Sequence, residues 1–407
     1  MNERDGRMAT PHVIAHAPKA ALIGGGFIGP VHVEALRRIG VEVVGLLGST
    51  PDRARPLAER LGIGRVYDDL DDLLADPTVG AVHVASPNGV HFEQSRRVLE
   101  SGRHVVCEKP LATTSAETSA LRSLAESRPK QASAVNYNVR YYPLCQEMRE
   151  RVARGDIGRV LSINGSYTQD WLLDPDDYNW RVEPDGGTNL RAVADIGTHW
   201  IDLAQFVAGQ PIHSVLADLA TFHSHRNRPV GSRETFHEGG RKGATESVPI
   251  HTEDYAAILF RLGDTVRGSF HVSQMNAGRK NRLAIEIAGT EGSFSWDSEQ
   301  PNQLWIGRRH EPNQLLDRDP ALLSPEARAT AHYPGGHAEG FPDTFKQLYL
   351  SIYGWIVSGI HTAPRFPTFA DGDHEVRLCE AIAASAHAGR WTDVAIAGHS
   401  ESGSPGR

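Results

Sequence analysis

An apolar run that breaks on glycine and restarts as a helix constrains this chain more than any other feature. The stretch ALIGGGFIGPVHVEALRRIG, Ala21 to Gly40, begins like a buried strand and turns on Gly24, Gly25, Gly26 and Gly29. It then continues as a helix with Pro30 in its first turn. Gly24-x-Gly26-x-x-Gly29 between a strand and a helix is the spacing that admits a dinucleotide. Gly24 allows the tight turn, Gly26 lets a pyrophosphate reach the backbone, and Gly29 lets helix and strand pack closely. Free N–H groups at the helix start face the phosphates. Phe27 and Ile28 belong to the same turn and count with it as cofactor-binding candidates. The competing reading is a glycine-rich turn that holds nothing.

From Ala20 to about Asn138, short apolar runs such as VEVVGLLG, GAVHVASP, HVVCEKP and QASAVNYN alternate with helical stretches. That alternation predicts a parallel sheet with helices on both faces, a Rossmann dinucleotide-binding domain over 20–142. A linking helix around Pro143 to Ala153 follows, and the pattern changes. Runs such as EDYAAILFRL and VRGSFHVSQM, separated by turn signals such as LGDT and GTEGS, predict an antiparallel sheet. Helices are expected at DIGTHWIDLAQFVAG, at Phe341 to Gly359 and at DGDHEVRLCEAIAASAHAG, all within a second, α+β domain over 143–397. His223 to Pro249 and Gln300 to Gly340 read as long polar loops. Residues 1–19 and 398–407 read as disordered tails.

A chain of 407 residues suits two domains. Its net charge of -8 and the absence of a Lys/Arg run argue against a nucleic-acid partner. Three scattered cysteines form neither a disulfide framework nor a zinc pattern, which fits a reducing, cytoplasmic setting. No apolar run reaches membrane-spanning length, and no membrane partner is expected.

The second strand of such a domain normally ends in an acidic residue that holds the adenosine ribose. Here Gly48 stands at that place, followed by Ser49, Thr50 and Arg53. No carboxylate repels a 2'-phosphate, so NAD or NADP is admitted. An ordinary helix cap at Ser49 or Thr50 explains the residues equally well. Ser86, Asn88, His91, Glu108, Lys109 and Pro110 fall at the carboxyl ends of strands, where open α/β sheets place ligands. A lysine ending an apolar strand is costly without a partner or a task. Pro110 admits a cis bond before it. Asp195, His199 and Asp202 fall at i, i+4 and i+7, one face of a helix. They read alike as a metal pair, as a general base with an orienting carboxylate, or as a helix-start network. With no convincing third ligand, no metal is expected.

Gly24-x-Gly26-x-x-Gly29, SPNGVH, CEKP and DIGTHWID stand in the order found in the Gfo/Idh/MocA oxidoreductases. The chain resembles that family from about Ala20 to Trp391. The resemblance implies an N-terminal Rossmann domain and a C-terminal domain with an open, mostly antiparallel sheet, often the surface of a homo-oligomer (dimer or tetramer). It implies hydride transfer between NAD or NADP and one carbinol carbon of a sugar or cyclitol. It also implies that Lys109, Asp195 and His199 are catalytic and that Asn88, His91, Glu108, Trp180 and Arg181 lie near the cofactor. His199 suits a base titrating near working pH, Lys109 a donor to the same oxygen, and Asp195 a holder of the ring or a partner of Lys109. Tyr137, Arg140, Trp171, Arg191, His199 and His337 are the substrate-binding candidates, with Asp170, Asn179, Trp180 and Asp343 behind them. Many members carry three glycines where GGTNLRAVAD has Asn189, Leu190 and Arg191. Arg191 therefore reads as a contact to an acidic substrate or, more simply, as a partner of Asp185 or Glu183. An NAD-dependent glycosidase acting by transient oxidation and a non-catalytic dinucleotide-binding regulator are the alternatives.

Overall fold

The computed structural model describes residues 13–183, 190–230, 244–359 and 363–395. The first sheet holds β1 (Lys19–Ile23), β2 (Val43–Leu47), β3 (Arg65–Val66), β4 (Val79–Val84), β5 (His104–Cys107) and β6 (Ser133–Val135). All are parallel, in the order β3-β2-β1-β4-β5-β6. The helices α1 (Ile28–Arg38), α2 (Pro51–Leu61), α3 (Leu70–Ala75), α4 (His91–Glu100) and α5 (Ser115–Glu126) connect them. With both faces covered, Ala20, Ala21, Leu22 and Ile23 of β1 are all buried, which explains the unbroken apolar run. The strand order reverses between β1 and β4, and such switch points open a crevice. The expected N-terminal tail is corrected for residues 13–18: Ile14 N–H donates to Ile39 O (3.0 Å) and Lys19 begins β1. Its earlier part, and the tail after 398, lie outside the described residues.

The second sheet follows α6 (Pro143–Ala153). It contains β7 (Val160–Thr168) and, after a π turn (Val193–Gly197) that runs into α7 (Thr198–Ala208), β8 (Ile212–Ala220). The hairpin β9 (His225–Pro229) and β10 (Thr245–Pro249) stands apart from it. β11 (Tyr255–Leu262), β12 (Val266–Ser273), β13 (Arg282–Gly289), β14 (Ser293–Asp297), β15 (Gln303–Gly307) and β16 (Gln314–Asp317) come next. The chain closes with the short α8 (Pro325–Arg328), α9 (Phe341–Ser358), α10 (Phe369–Ala388) and β17 (Thr392–Asp393). The nine-stranded order is β16-β15-β14-β13-β7-β12-β11-β8-β17, antiparallel throughout except for β7 beside β12. Alternation in β11 buries Ala256, Ile258, Phe260 and Leu262 toward the helices. There Trp200 of α7 stacks on Phe270 with centroids 4.6 Å apart.

Both expected loops are corrected. Residues 223–249 contain the β9–β10 hairpin, whose residues 231–243 are outside the described ones, and 300–340 contain β15, β16 and α8. The single unit 143–397 also needs correction. Phe345, Leu348, Tyr349, Ile352 and Tyr353 of α9 join the core formed by Leu22, Val33 and Leu36, so α9 completes the first half rather than the second.

Candidate active site

A cleft of about 1600 Å³ opens at the carboxyl ends of β1, β2, β4 and β5 and is walled on the far side by the second half. The three fingerprint glycines meet different constraints. Gly24 has φ +105°, and a Cβ there would lie 2.3 Å from Ala85 O; at Gly29 it would lie 2.6 Å from Gly24 O. At Gly26 a Cβ would meet nothing within 4 Å, because the residue borders the cleft. The fold needs the first and third glycines; only a ligand needs the second. The start of α1 carries no side-chain cap, leaving its first N–H groups to a phosphate. These residues fit a dinucleotide.

At the adenosine end, Ser49 and Arg53 line the cleft. Thr50 turns away to cap α2, its Oγ1 accepting from Arg53 N–H (3.4 Å), so the cap reading holds for that residue. A Cβ at Gly48 would fall 2.8 Å from the Ala54 Cβ, which explains sterically why no acidic residue stands there. Phe27, Ile28, Ser86 and Asn88 line the same wall, and the Ser86 hydroxyl donates to Gln94 Oε1 (2.6 Å). His91 opens α4, fully buried, with Nδ1 2.8 Å from Pro110 O and Nε2 2.8 Å from Ser86 O. The Lys109–Pro110 bond is cis.

Lys109 leaves the end of β5 and crosses to the second half. Its Nζ donates to the backbone oxygen of Asp195 and lies 3.4 Å from Oδ1. Arg181 Nε donates to the same Oδ1 (3.2 Å) and Gln274 Nε2 to Oδ2 (2.9 Å). Burial opposes the charge on Asp195, but Lys109 and Arg181 outweigh it and hold the carboxyl at about 2. The guanidinium of Arg181 rests 4.6 Å over the Trp180 ring, and both residues line the cleft. His199 lines it too, with its Nδ1 buried and unpartnered. Burial, then Lys109, push the imidazole down to about 3. An imidazole titrating near working pH is therefore corrected: this ring is neutral throughout that range. Asp195 spends its oxygens on Lys109, Arg181 and Gln274, not on holding the ring.

The shared face holds for Asp195 and His199, which both line the cleft, and is corrected for Asp202. Asp195 sits in the π turn, whose wider pitch breaks the spacing of an α-helix. Asp202 is buried, pairing with Arg140 (Nε to Oδ2, 2.8 Å). Arg140 also donates to Asp371 Oδ1 (2.8 Å) and does not line the cleft. Arg191 is buried on Asp254 and on the backbone oxygen of Glu253 (Nη2, 3.0 Å). Its pairing replaces the expected one with Glu183; Asp185 and Asn189 lie outside the described residues. His337 stays in its loop, away from the cleft, and Asp343 pairs with Arg38. Tyr137 sits behind the wall, edge-on to His199 with centroids 6.0 Å apart. Trp171 and Asp170 do line the cleft, Asp170 paired with Lys280 (2.7 Å), while Asn179 caps the turn at Trp180. Sequence reasoning missed Tyr167, Gln169, Gln274 and Asn281. Tyr167 and Gln169 lie at the end of β7, and the strand-end rule applied there would have found them.

A glycine turn at the switch point of a parallel sheet, facing a lysine shared with a second sheet, belongs to the two-domain dinucleotide-dependent oxidoreductases. Residues 19–137 match the model described as "Oxidoreductase family, NAD-binding Rossmann fold", and 145–295 match the GFO/IDH/MocA C-terminal domain. The chain belongs to the GFO/IDH/MocA family, as the resemblance implied. It is 28% identical to levoglucosan dehydrogenase of Pseudarthrobacter phenanthrenivorans, over 92% of this chain and 97% of that one. It is 31% identical to myo-inositol 2-dehydrogenase of Thermotoga maritima, over 69% and 75%. Among solved structures, levoglucosan dehydrogenase in complex with NADH and levoglucosan superposes with a TM-score of 0.82 at 28% identity, over 93% of this chain and 99% of that one. An oxidoreductase domain protein from Kribbella flavida gives 0.84 at 29%, over 93% and 99%.

Proposed function

We propose that this oxidoreductase exchanges hydride between one secondary carbinol carbon of an uncharged sugar or cyclitol and NAD or NADP. The observation that carries the proposal is Lys109, held on Asp195 and facing His199, in one cleft with the open side of Gly26. The bound cofactor supplies the site that takes or gives the hydride. Asp195 and Arg181 fix where the Lys109 ammonium sits. Lys109 donates to the substrate oxygen and offsets the charge that grows there. His199, a neutral ring with one nitrogen lone pair available, accepts the hydroxyl proton in oxidation and returns it in reduction. Among the described residues the cations support a neutral substrate: Arg140 and Arg191 are spent away from the cleft, Lys280 and Arg181 each face a carboxylate, and Arg53 stands at the opposite end, beside Ser49. The names of the levoglucosan and inositol dehydrogenases support the same substrate class.

A panel of neutral sugars, cyclitols and their phosphates, followed by nicotinamide absorbance, tests this. A neutral compound should reduce the dinucleotide one for one. Activity confined to phosphorylated sugars would reject the neutral site, and glycoside cleavage without net reduction would favour the glycosidase reading.

A further inference from the structure

Behind the cofactor wall lies a chain of buried polar side chains that the reaction does not use directly. Glu108 Oε1 lies 2.9 Å from His32 Nε2 and also accepts from Asn136 Nδ2. His32 Nδ1 is 3.0 Å from His83 Nδ1 and 2.8 Å from the Tyr349 hydroxyl. His83 Nε2 is 3.1 Å from the Tyr353 hydroxyl. His32, His83, Tyr349 and Tyr353 are fully buried, and Glu108 nearly so. Three elements far apart in sequence, α1, β4 and α9, thus converge on one carboxylate.

Hydrogen-bonding capacity gives the chain a direction. An ionised carboxylate only accepts, so the His32 proton facing it is on Nε2. His32 Nδ1 is then the acceptor, its single lone pair shared between the Tyr349 hydroxyl and a proton on His83 Nδ1. His83 Nε2 in turn accepts from Tyr353. Every donor points toward Glu108. Burial pushes His83 well below its ordinary value, consistent with one proton on that ring.

We infer that His32 is a positioning residue: its hydrogen bond keeps Glu108 ionised, with Oε2 free to accept from a hydroxyl of the dinucleotide beside Lys109. The inference rests on the reading that the cofactor occupies this cleft. Glu108 lines the cleft, and its Oε2 carries only a 3.3 Å contact from Lys109 N–H. The groups facing this carboxylate are His32 on α1, with His83 on β4 and Tyr349 and Tyr353 on α9 behind it, Asn136 after β6, Lys109 beside it and His199 across the cleft. Burial works against its charge; His32, followed by Lys109 and Asn136, outweighs burial and holds it below the ordinary carboxylate value. Without His32, burial wins and the carboxyl protonates nearer neutrality.

NADH binding, read by fluorescence titration from pH 5.5 to 8, below the range in which His91 titrates, tests this on the parent protein and on His32→Leu, His32→Gln and Glu108→Gln. The parent should bind equally across the range. His32→Leu should weaken as pH falls below the raised value, by about tenfold in all, and recover as pH rises. His32→Gln keeps an N–H donor and should restore a flat profile. Glu108→Gln should lose affinity by about tenfold at every pH, as expected for a lost charge-assisted hydrogen bond. Should His32→Leu fail to fold, His32→Asn, too short to reach Glu108, carries the same arm. A flat profile in the variant lacking the contact, with Glu108→Gln weakened, overturns the role of His32 alone. Parent affinity in Glu108→Gln overturns the contact itself, and no NADH binding by the parent protein overturns the cofactor reading beneath both.

Discussion

The two walls of the cleft use histidine in opposite ways. On the cofactor wall, His91 is fully buried and each ring nitrogen lies 2.8 Å from a carbonyl oxygen. Two acceptors are satisfied only by a ring with two protons. Burial opposes that charge, but Cys107 and the two carbonyls outweigh it and push the imidazole up to about 9. On the substrate wall, His199 has a buried Nδ1 with no partner, and burial with Lys109 pushes it down to about 3. The first ring spends its protons fastening Ser86 to Pro110. The second carries a single proton and lines the cleft. A histidine with all its bonds made serves the fold; one left short of bonds is available to a substrate.

The sharpest way to break this contrast lies on the substrate wall. Lys109→Ala should slow single-turnover hydride transfer by at least about a hundredfold, the size of a lost oxyanion donor. His199→Ala should slow it by about a hundredfold, the lower range for a general base. Because both act on one oxygen, the double variant should lose less than the product of the two. Dinucleotide binding should persist in all three. Parent rates in His199→Ala would remove the ring from the chemistry and leave the contrast without its second half.

On the cofactor wall the effect should be on stability. His91→Leu orphans two half-buried carbonyls, at about 1 kcal/mol each, toward the low end for such groups, so urea unfolding should show a loss of about 2 kcal/mol. The pH dependence has a definite sign. The His91 value is raised on folding, so its contribution is complete below pH 6.5 and is lost as pH climbs through about 9. The His199 value is lowered, so its burial costs stability as pH falls from 6.5 toward 3. Thermal melts of His91→Leu should lack the alkaline loss seen in the parent; a parallel decline would show that His91 is not its source.

The smallest expected effect separates ligand from fold within the glycine turn. Gly26→Leu should unfold at the parent's urea concentration, since a Cβ there meets nothing within 4 Å, yet bind NADH about tenfold or more weaker. Equal affinity would place the dinucleotide elsewhere.

What the sequence disclosed was what neighbours along the chain decide. The β1–α1 turn is local, and its glycines and flanks declare it. The helices Pro143–Ala153 and Phe341–Ser358 likewise carry their own periodicity. β15 and β16, at 5 and 4 residues, carry too little pattern to stand out and exist because β14 offers an edge. The destination of α9 was equally hidden, since its apolar face fits either sheet. Lys109, Asp195 and His199 were visible as residues that apolar or helical context does not need. The partners of Arg140 and Arg191 were not, because a salt bridge between distant segments leaves no local trace.

The return of α9 to the first half has a consequence for synthesis. β6 ends at Val135 and α9 begins at Phe341, about 200 residues later. At roughly 5–20 residues per second, the ribosome presents the dinucleotide-binding half for about 10–40 seconds before α9 emerges. During that interval Leu22, Val33 and Leu36 lack the aromatic side chains of Phe345, Tyr349 and Tyr353 that later share their core. The nascent cofactor half is thus an unfinished surface, and a holding chaperone has a defined place and time at which to act.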